Sequence, residues 1–286
     1  MVELSRPAVA SQDTSQMEAR KREEIEFHDK LREGQHEQRW SPEAEARLKD
    51  DPLWSNFKYY AIERHSLDLM KSWVTERLEG AAVLDYCCGN GDEALVAGAN
   101  GAASVVGIDI SPVSIENCRG RARAEGLDER VRFQVMDAEA LEFPDASFDL
   151  IMEYGVLHHL ELDRAMAELA RVLKPGGAMI CTETLGHNPF IRWYRRRTPH
   201  LRTAWEAEHI LTRESFDIMA RHFGRIEKRF FHLATLAAVP LRRTRVFPPV
   251  LSGLRWVDRA LLAVPGLQWQ AWQVVFRLSE PRVNGR

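Results

Sequence analysis

With 286 residues, 45% of them hydrophobic, the chain has ample material for a core, in one large domain with insertions or in two. Its 39 basic and 42 acidic residues leave a formal charge of −3, which argues against a nucleic-acid or general anionic-membrane partner. The four cysteines lack paired metal-ligand spacing, no basic-then-apolar signal opens the chain, and no apolar run nears the roughly 18 residues of a membrane span. A cytoplasmic protein with reduced thiols and no metal site is the resulting expectation.

Residues 1–16 are polar and predict a disordered tail, ahead of a single domain over 17–286. Residues 17–32 turn to Glu, Lys and Arg with few breakers, which favours helix, with Phe27 and Leu31 as a small apolar seam. Ser41-Pro42 restarts a helix as N-cap and first position. Trp54, Phe57, Tyr59 and Tyr60 form an aromatic cluster read as packing, with Tyr59 or Tyr60 open as a shield over a ligand. Leu67, Met70, Val74 and Leu78 mark one face of a helix laid on a sheet.

An alternation of strands and helices follows. Residues 82–86 read as a strand, 87–91 as a glycine-rich turn and 91–99 as a helix, which together make a site for a nucleotide-like ligand. Gly89 to Ala94 also fits Gly-x-Gly-x-x-Ala, a dinucleotide signature, so the glycines alone do not name the ligand. Asp85 does better. A carboxylate at the strand end repels a pyrophosphate and suits the ammonium and sulfonium of S-adenosylmethionine, which has no phosphate. The second strand, 103–109, ends in Asp109, about twenty residues beyond the loop, where an acid accepts from ribose hydroxyls in Rossmann-type sites. A helix cap is the plainer role for it, since Ser111-Pro112 starts the next helix. Residues 131–136 form the third strand, followed by Asp137-Ala138, and 148–153 the fourth. Glu153, Tyr154, His158 and His159 lie just past its carboxyl end, the edge at which open parallel sheets bind ligands. Met166, Leu169 and Leu173 share a helical face, and Lys174-Pro-Gly-Gly177 turns the chain into a fifth strand, 178–182.

Four stretches now carry a resemblance: Val-Leu-Asp-Tyr-Cys-Cys-Gly-Asn-Gly over 83–91, Val-Gly-Ile-Asp-Ile-Ser over 106–111, residues 148–160, and Leu-Lys-Pro-Gly-Gly over 173–177. In this order and spacing the chain resembles a class I S-adenosylmethionine-dependent methyltransferase of the small-molecule type, over residues 67–183. The resemblance implies an α/β fold: a seven-stranded, mostly parallel Rossmann-like sheet with helices on both faces and an antiparallel last strand. It implies S-adenosyl-L-methionine as cofactor, held by Asp85, Cys87, Gly89, Asn90, Gly91, Asp109, Ile110, Asp137, Ala138, Glu153 and Tyr154. Asp137 would meet the adenine amino group, and the helical region 17–66 would act as a lid over the core, 67–184. Cys87 stands where the family usually has its first glycine, so a β-region backbone is expected there.

Two helical inserts, after strands five and six, depart from the common core. Residues 185–210 interleave Arg192, Arg195, Arg196, Arg197 and Arg202 with Phe190, Trp193 and Tyr194, and 211–232 supply a helix and the sixth strand. Residues 233–268 carry four prolines and an apolar face of Leu251, Leu254, Val257 and Leu261; the last strand follows in 269–279. Stretches 188–202 and 233–268 read as solvated surface, as acceptor specificity, or as peripheral membrane or subunit contacts. Methyl transfer is an in-line displacement in which the protein supplies position and a dry site. A hydroxyl acceptor also needs a base, for which His158, then His209 and His187, are candidates. The expectation is a methyltransferase for a small-molecule acceptor, oxygen first. C-methylation of a quinone or lipid-like acceptor and a non-catalytic binding module are the alternatives.

Overall fold

The computed structural model describes residues 19–33, 40–48, 50–51 and 54–282; the expected tail over 1–16 lies outside them. Seven strands form one sheet: β1 (Ala82–Tyr86), β2 (Ser104–Asp109), β3 (Val131–Val135), β4 (Phe148–Tyr154), β5 (Leu173–Thr184), β6 (Phe223–Phe231) and β7 (Gln273–Pro281). Their order is β3-β2-β1-β4-β5-β7-β6, with β7 antiparallel to both of its neighbours and the other pairs parallel. The central strands read as apolar runs because both faces are covered: Leu150, Ile151 and Met152 of β4 are all buried. Leu84 and Tyr86 pack with α6 (Leu162–Val172) and α9 (Arg213–His222) on one face. Val83 packs with α3 (Arg64–Leu78), α4 (Asp92–Ala99) and α5 (Pro112–Ala124) on the other.

The chain runs outward from β1 to β2 and β3, then returns to β4 on the opposite side of β1. That reversal opens a crevice at the carboxyl ends of β1 and β4, where such sheets hold ligands. Residues 174–177 are not a clean break. Leu173 pairs with Phe148 and Ala178 with Leu150, so the stretch is a bulge within β5.

Both expected inserts are helical. The first holds α7 (Pro189–Arg197) and α8 (Ala204–His209); Asn188 Oδ1 caps α7 by accepting from the Phe190 N–H at 2.9 Å. The second holds a 3-10 segment (Ala234–Leu241) and α10 (Phe247–Leu261). Here the structure corrects the expected apolar face. Leu251 packs inward, but Val257 is 44% exposed and Asp258 is buried in its place. The Asp258 carboxylate accepts from Ala234 N–H and, at 2.7 Å, from Thr235 Oγ1, satisfying the start of the 3-10 segment. α10 is rotated to make that cap.

His232, fully buried at the end of β6, ties this insert to α3: its Nε2 lies 3.0 Å from Ser66 Oγ and its Nδ1 3.2 Å from Thr235 Oγ1. Burial, helped by the charges of His65 and Arg255, pushes its pKa down to about 3. The unfolded chain takes up a proton near pH 6.5 that the folded chain refuses, so stability falls as pH drops below that value. Between pH 7 and 5 the protein is expected to lose up to about 2 kcal/mol more than a His232→Gln variant, read by urea unfolding at both pH values.

Candidate functional site

A cleft of about 1260 Å³ opens where the sheet order reverses. Its floor is the loop after β1. Gly89 and Gly91 adopt φ of 53° and 74°, and Gly91 starts α4. Cys87 does too, at φ 54°, which overturns the expected β-region backbone. A side chain in that region costs about 1–2 kcal/mol. The loop is over-determined around it: Cys88 N–H donates to Ile108 O at 2.7 Å, and Gly89 N–H donates to Asp109 Oδ2 at 2.9 Å.

Two acids anchor the floor. Asp85 Oδ2 accepts from Ala94 N–H at 3.0 Å, and burial, then the Glu93 charge, pushes its carboxyl up to about 8. A carboxyl so placed is ready to ionise against a bound cation. Asp109 uses its second oxygen for the Ser111 N–H at 2.9 Å, so it shapes the loop and the start of α5 together. Both line the cleft, as do Cys87, Gly89, Ile110, Asp137, Ala138, Tyr154 and His158. Asn90, Gly91 and Glu153 stand behind it, and the buried Asn90 amide has no partner among the described residues.

The expected bases separate. His209 stacks on Trp205 at 3.6 Å and bonds its carbonyl, outside the cleft, while His187 Nε2 accepts from Arg213 N–H at 2.9 Å, also outside. His158 faces the cleft with Nδ1 2.7 Å from Glu183 Oε2 and Nε2 3.7 Å from Glu206 Oε1. Burial opposes ionisation of Glu183, but the His158 charge and bond hold its carboxyl low. Behind it Glu153 is pushed well up, by burial and then by the Glu183 charge. One carboxylate is ionised and its neighbour is an acid, so the charge sits on the oxygen pair that orients His158.

Sequence reasoning missed Glu183 as a site residue, although an acid ending an apolar strand at the ligand edge was a readable signal. It also missed Glu63, whose carboxyl accepts from Tyr154 and Gln273 and is pushed up to about 7 by burial; nothing local marks it. No metal site was expected, yet folding assembles two His/Glu groups, Glu24–His28–His159 and His158–His159–Glu206. Glu206 is already engaged by Arg195 at 3.1 Å and Arg202 at 3.4 Å, cationic neighbours that disfavour a metal ion in the second group.

Across the cleft lies α1 (Ala19–Arg32), held by polar contacts. Lys21 Nζ meets Asp137 Oδ2 at 2.7 Å, Ser111 Oγ donates to Asp29 at 2.5 Å, and His159 Nδ1 lies 3.0 Å from Glu24. Burial alone would lower the His159 pKa; its bond to Glu24 and the charge of Glu206 more than offset that and leave it raised. This contribution is complete below the ordinary histidine pKa and is lost as pH rises through the raised one. Trypsin cleavage within 19–33, normalised to a peptide control, is therefore expected to accelerate between pH 6.5 and 9.

Residues 83–177 match a family model described as "Methyltransferase domain". This stretch is a class I S-adenosylmethionine-dependent methyltransferase domain. The 27-O-demethylrifamycin SV methyltransferase of Amycolatopsis mediterranei is 36% identical over 141 residues, 45% of this chain and 52% of that one. The demethylmenaquinone methyltransferase of Thermus thermophilus is 40% identical over 122 residues, 42% and 52% of the two. The matched stretches thus span about half the length of these curated relatives. In structure the chain is similar to geranyl diphosphate C-methyltransferase from Streptomyces coelicolor, with a TM-score of 0.58 at 18% identity over 93% of this chain and 99% of that one. It is also similar to the [4+2]-cyclase SpnF, with a TM-score of 0.52 at 22% identity over 76% and 83%. These likenesses show the fold of the methyltransferase domain; its chemistry has to be argued from the site.

Proposed function

We propose that the protein transfers the methyl group of S-adenosylmethionine to a hydroxyl oxygen of an apolar, ring-bearing small molecule, with His158 accepting the proton. The observation that carries this reading is the imidazole facing the cleft, backed by the ionised carboxylate of Glu183 at 2.7 Å. A histidine so held is fixed in orientation, with one ring nitrogen turned to Glu183, as a positioned general base must be.

The residues present fit the donor. Asp85 and Asp109 are acids on the cleft floor, and the loop 87–91 brings backbone but no basic side chain, a poor cradle for pyrophosphate. Asp85 would answer the ammonium, Asp109 the ribose hydroxyls and Asp137 with Ala138 the adenine, while the donor itself supplies a methyl on a positively charged sulfur. The cleft is also lined by Trp40, Trp54, Tyr59, Tyr60, Tyr194 and Trp272, which suits an acceptor with rings. In the proposed step the acceptor oxygen forms a bond to the methyl carbon, the carbon–sulfur bond breaks, and the hydroxyl proton passes to His158.

Incubation with labelled S-adenosylmethionine and a panel of phenols, hydroxylated macrocycles and quinols tests the reading. A methyl ether is the expected product. Carbon methylation of a quinol would favour the second reading, which the likeness to the demethylmenaquinone enzyme supports. Binding of the adenosyl ligand without any product would instead indicate a non-catalytic module.

A further inference from the structure

Both inserts carry an unusual surface. Six of the eight exposed large hydrophobic side chains among the described residues sit on or beside α7 and α10: Phe190, Trp193, Val246, Trp256, Val257 and Val264. Phe190 is 80% exposed and Trp256 66%. Turned away from the core, α10 also presents Pro249, Gly253 and Ala260 in line with Val246 and Val257, so its outer side carries an apolar stripe as well. The inward turn of Asp258 puts that stripe outside. A solvated helix would carry polar residues there.

The exposed charge of the two inserts is almost all positive. Residues 185–210 and 233–268 hold five arginines each and no lysine, against three acids. Two of those, Glu206 and Asp258, are buried, which leaves Glu208 alone exposed. Arg192, Arg196, Arg197, Arg243, Arg245 and Arg259 are exposed, although the whole chain carries a net −3. Each insert repeats one device: Arg197 lies 4.7 Å over the Trp193 ring, and Arg259 lies 4.4 Å over Trp256. Indole beside guanidinium is the pairing that sits at a headgroup boundary, with the ring toward the acyl chains and the cation on phosphate.

Both inserts border the same opening. Phe190, Ile191 and Arg195 of α7 line the cleft, and so do Phe247, Leu251 and Arg255 of α10. No described helix is long and apolar enough to cross a membrane, so the surface can only lie on one. We propose that α7 and α10 dock the protein on an anionic phospholipid bilayer, with the cleft mouth facing the lipid, so that a lipid-soluble acceptor reaches it from the membrane. The docking does not depend on which acceptor atom is methylated, because vesicle binding is read without turnover.

The test is co-sedimentation of the full chain with vesicles of phosphatidylcholine alone, or of equal parts phosphatidylcholine and phosphatidylglycerol. Binding to the mixed vesicles only, weakened by added salt, is expected. The double variant Trp193→Asp with Trp256→Asp should lose it, with unchanged melting temperature and S-adenosylmethionine binding, since neither residue lines the cleft. Arg196→Glu with Arg259→Glu, which leaves the indoles in place, should weaken it by at least about fivefold for each arginine lost. Absence of binding to mixed vesicles, equal binding to both kinds, or wild-type binding by both double variants would overturn the proposal. So would a stable dimer that buries both tryptophans and excludes vesicles, seen by sedimentation equilibrium.

Discussion

Replacing His158 with asparagine is expected to lower kcat by about 10²- to 10⁴-fold while S-adenosylmethionine affinity stays near that of the wild type. Asparagine is the informative substitution because His158 is buried beside an ionised acid. Alanine would strand Glu183 without its partner, and an unpaired buried charge destabilises by about 3–5 kcal/mol, which would confuse folding with chemistry. An asparagine amide can still donate to Glu183 Oε2, where His158 Nδ1 now lies at 2.7 Å, but cannot take a proton. The loss should therefore fall on kcat, with KM and melting temperature little changed. A variant that keeps most of its rate would sink the base assignment. Glu63, whose carboxyl sits at about 7 on the same cleft, would then be the next candidate.

Asp109→Asn is expected to weaken S-adenosylmethionine binding by about 10- to 100-fold, roughly one charge-assisted hydrogen bond to a ribose hydroxyl. The geometry adds a second cost. Both carboxylate oxygens already accept from backbone, one from Gly89 N–H and one from Ser111 N–H, each at 2.9 Å. An amide must turn its NH₂ toward one of those donors, leaving a buried N–H unpaired at about 1–3 kcal/mol. The unliganded variant should thus melt lower as well as bind more weakly. Calorimetric titration and a melting curve on the same sample read both effects. Unchanged affinity with a lowered melting temperature would assign Asp109 to the loop alone and remove it from the ribose.

The sequence by itself determined the sheet and the loop. Val83 and Leu84 in β1, and Leu150 to Met152 in β4, are apolar without alternation, which only a strand covered on both faces tolerates. The glycines at 89 and 91 fall where the backbone has positive φ, and the acids at 85 and 109 end two neighbouring strands, so topology carries both to one edge. These are local properties: a periodicity, a conformational preference and a position within a strand each need only a few consecutive residues.

Tertiary structure alone decided the rest. Lys21 meets Asp137 across 116 residues, and Glu24 meets His159 across 135, so although the resemblance implied a lid over 17–66, the polar stretch 17–32 did not itself show which residues it meets. Of the three candidate histidines, His158 lines the cleft and pairs with Glu183, whereas a stack on Trp205 holds His209 outside it. Cys87 adopts a backbone that its own side chain disfavours, because Ile108 and Asp109 hold the flanking amides. Asp258 turned α10 against its own apolar pattern for the same kind of reason. A buried segment start has donors that must be satisfied, and a carboxylate 23 residues distant from Thr235 was the group that folding brought to them.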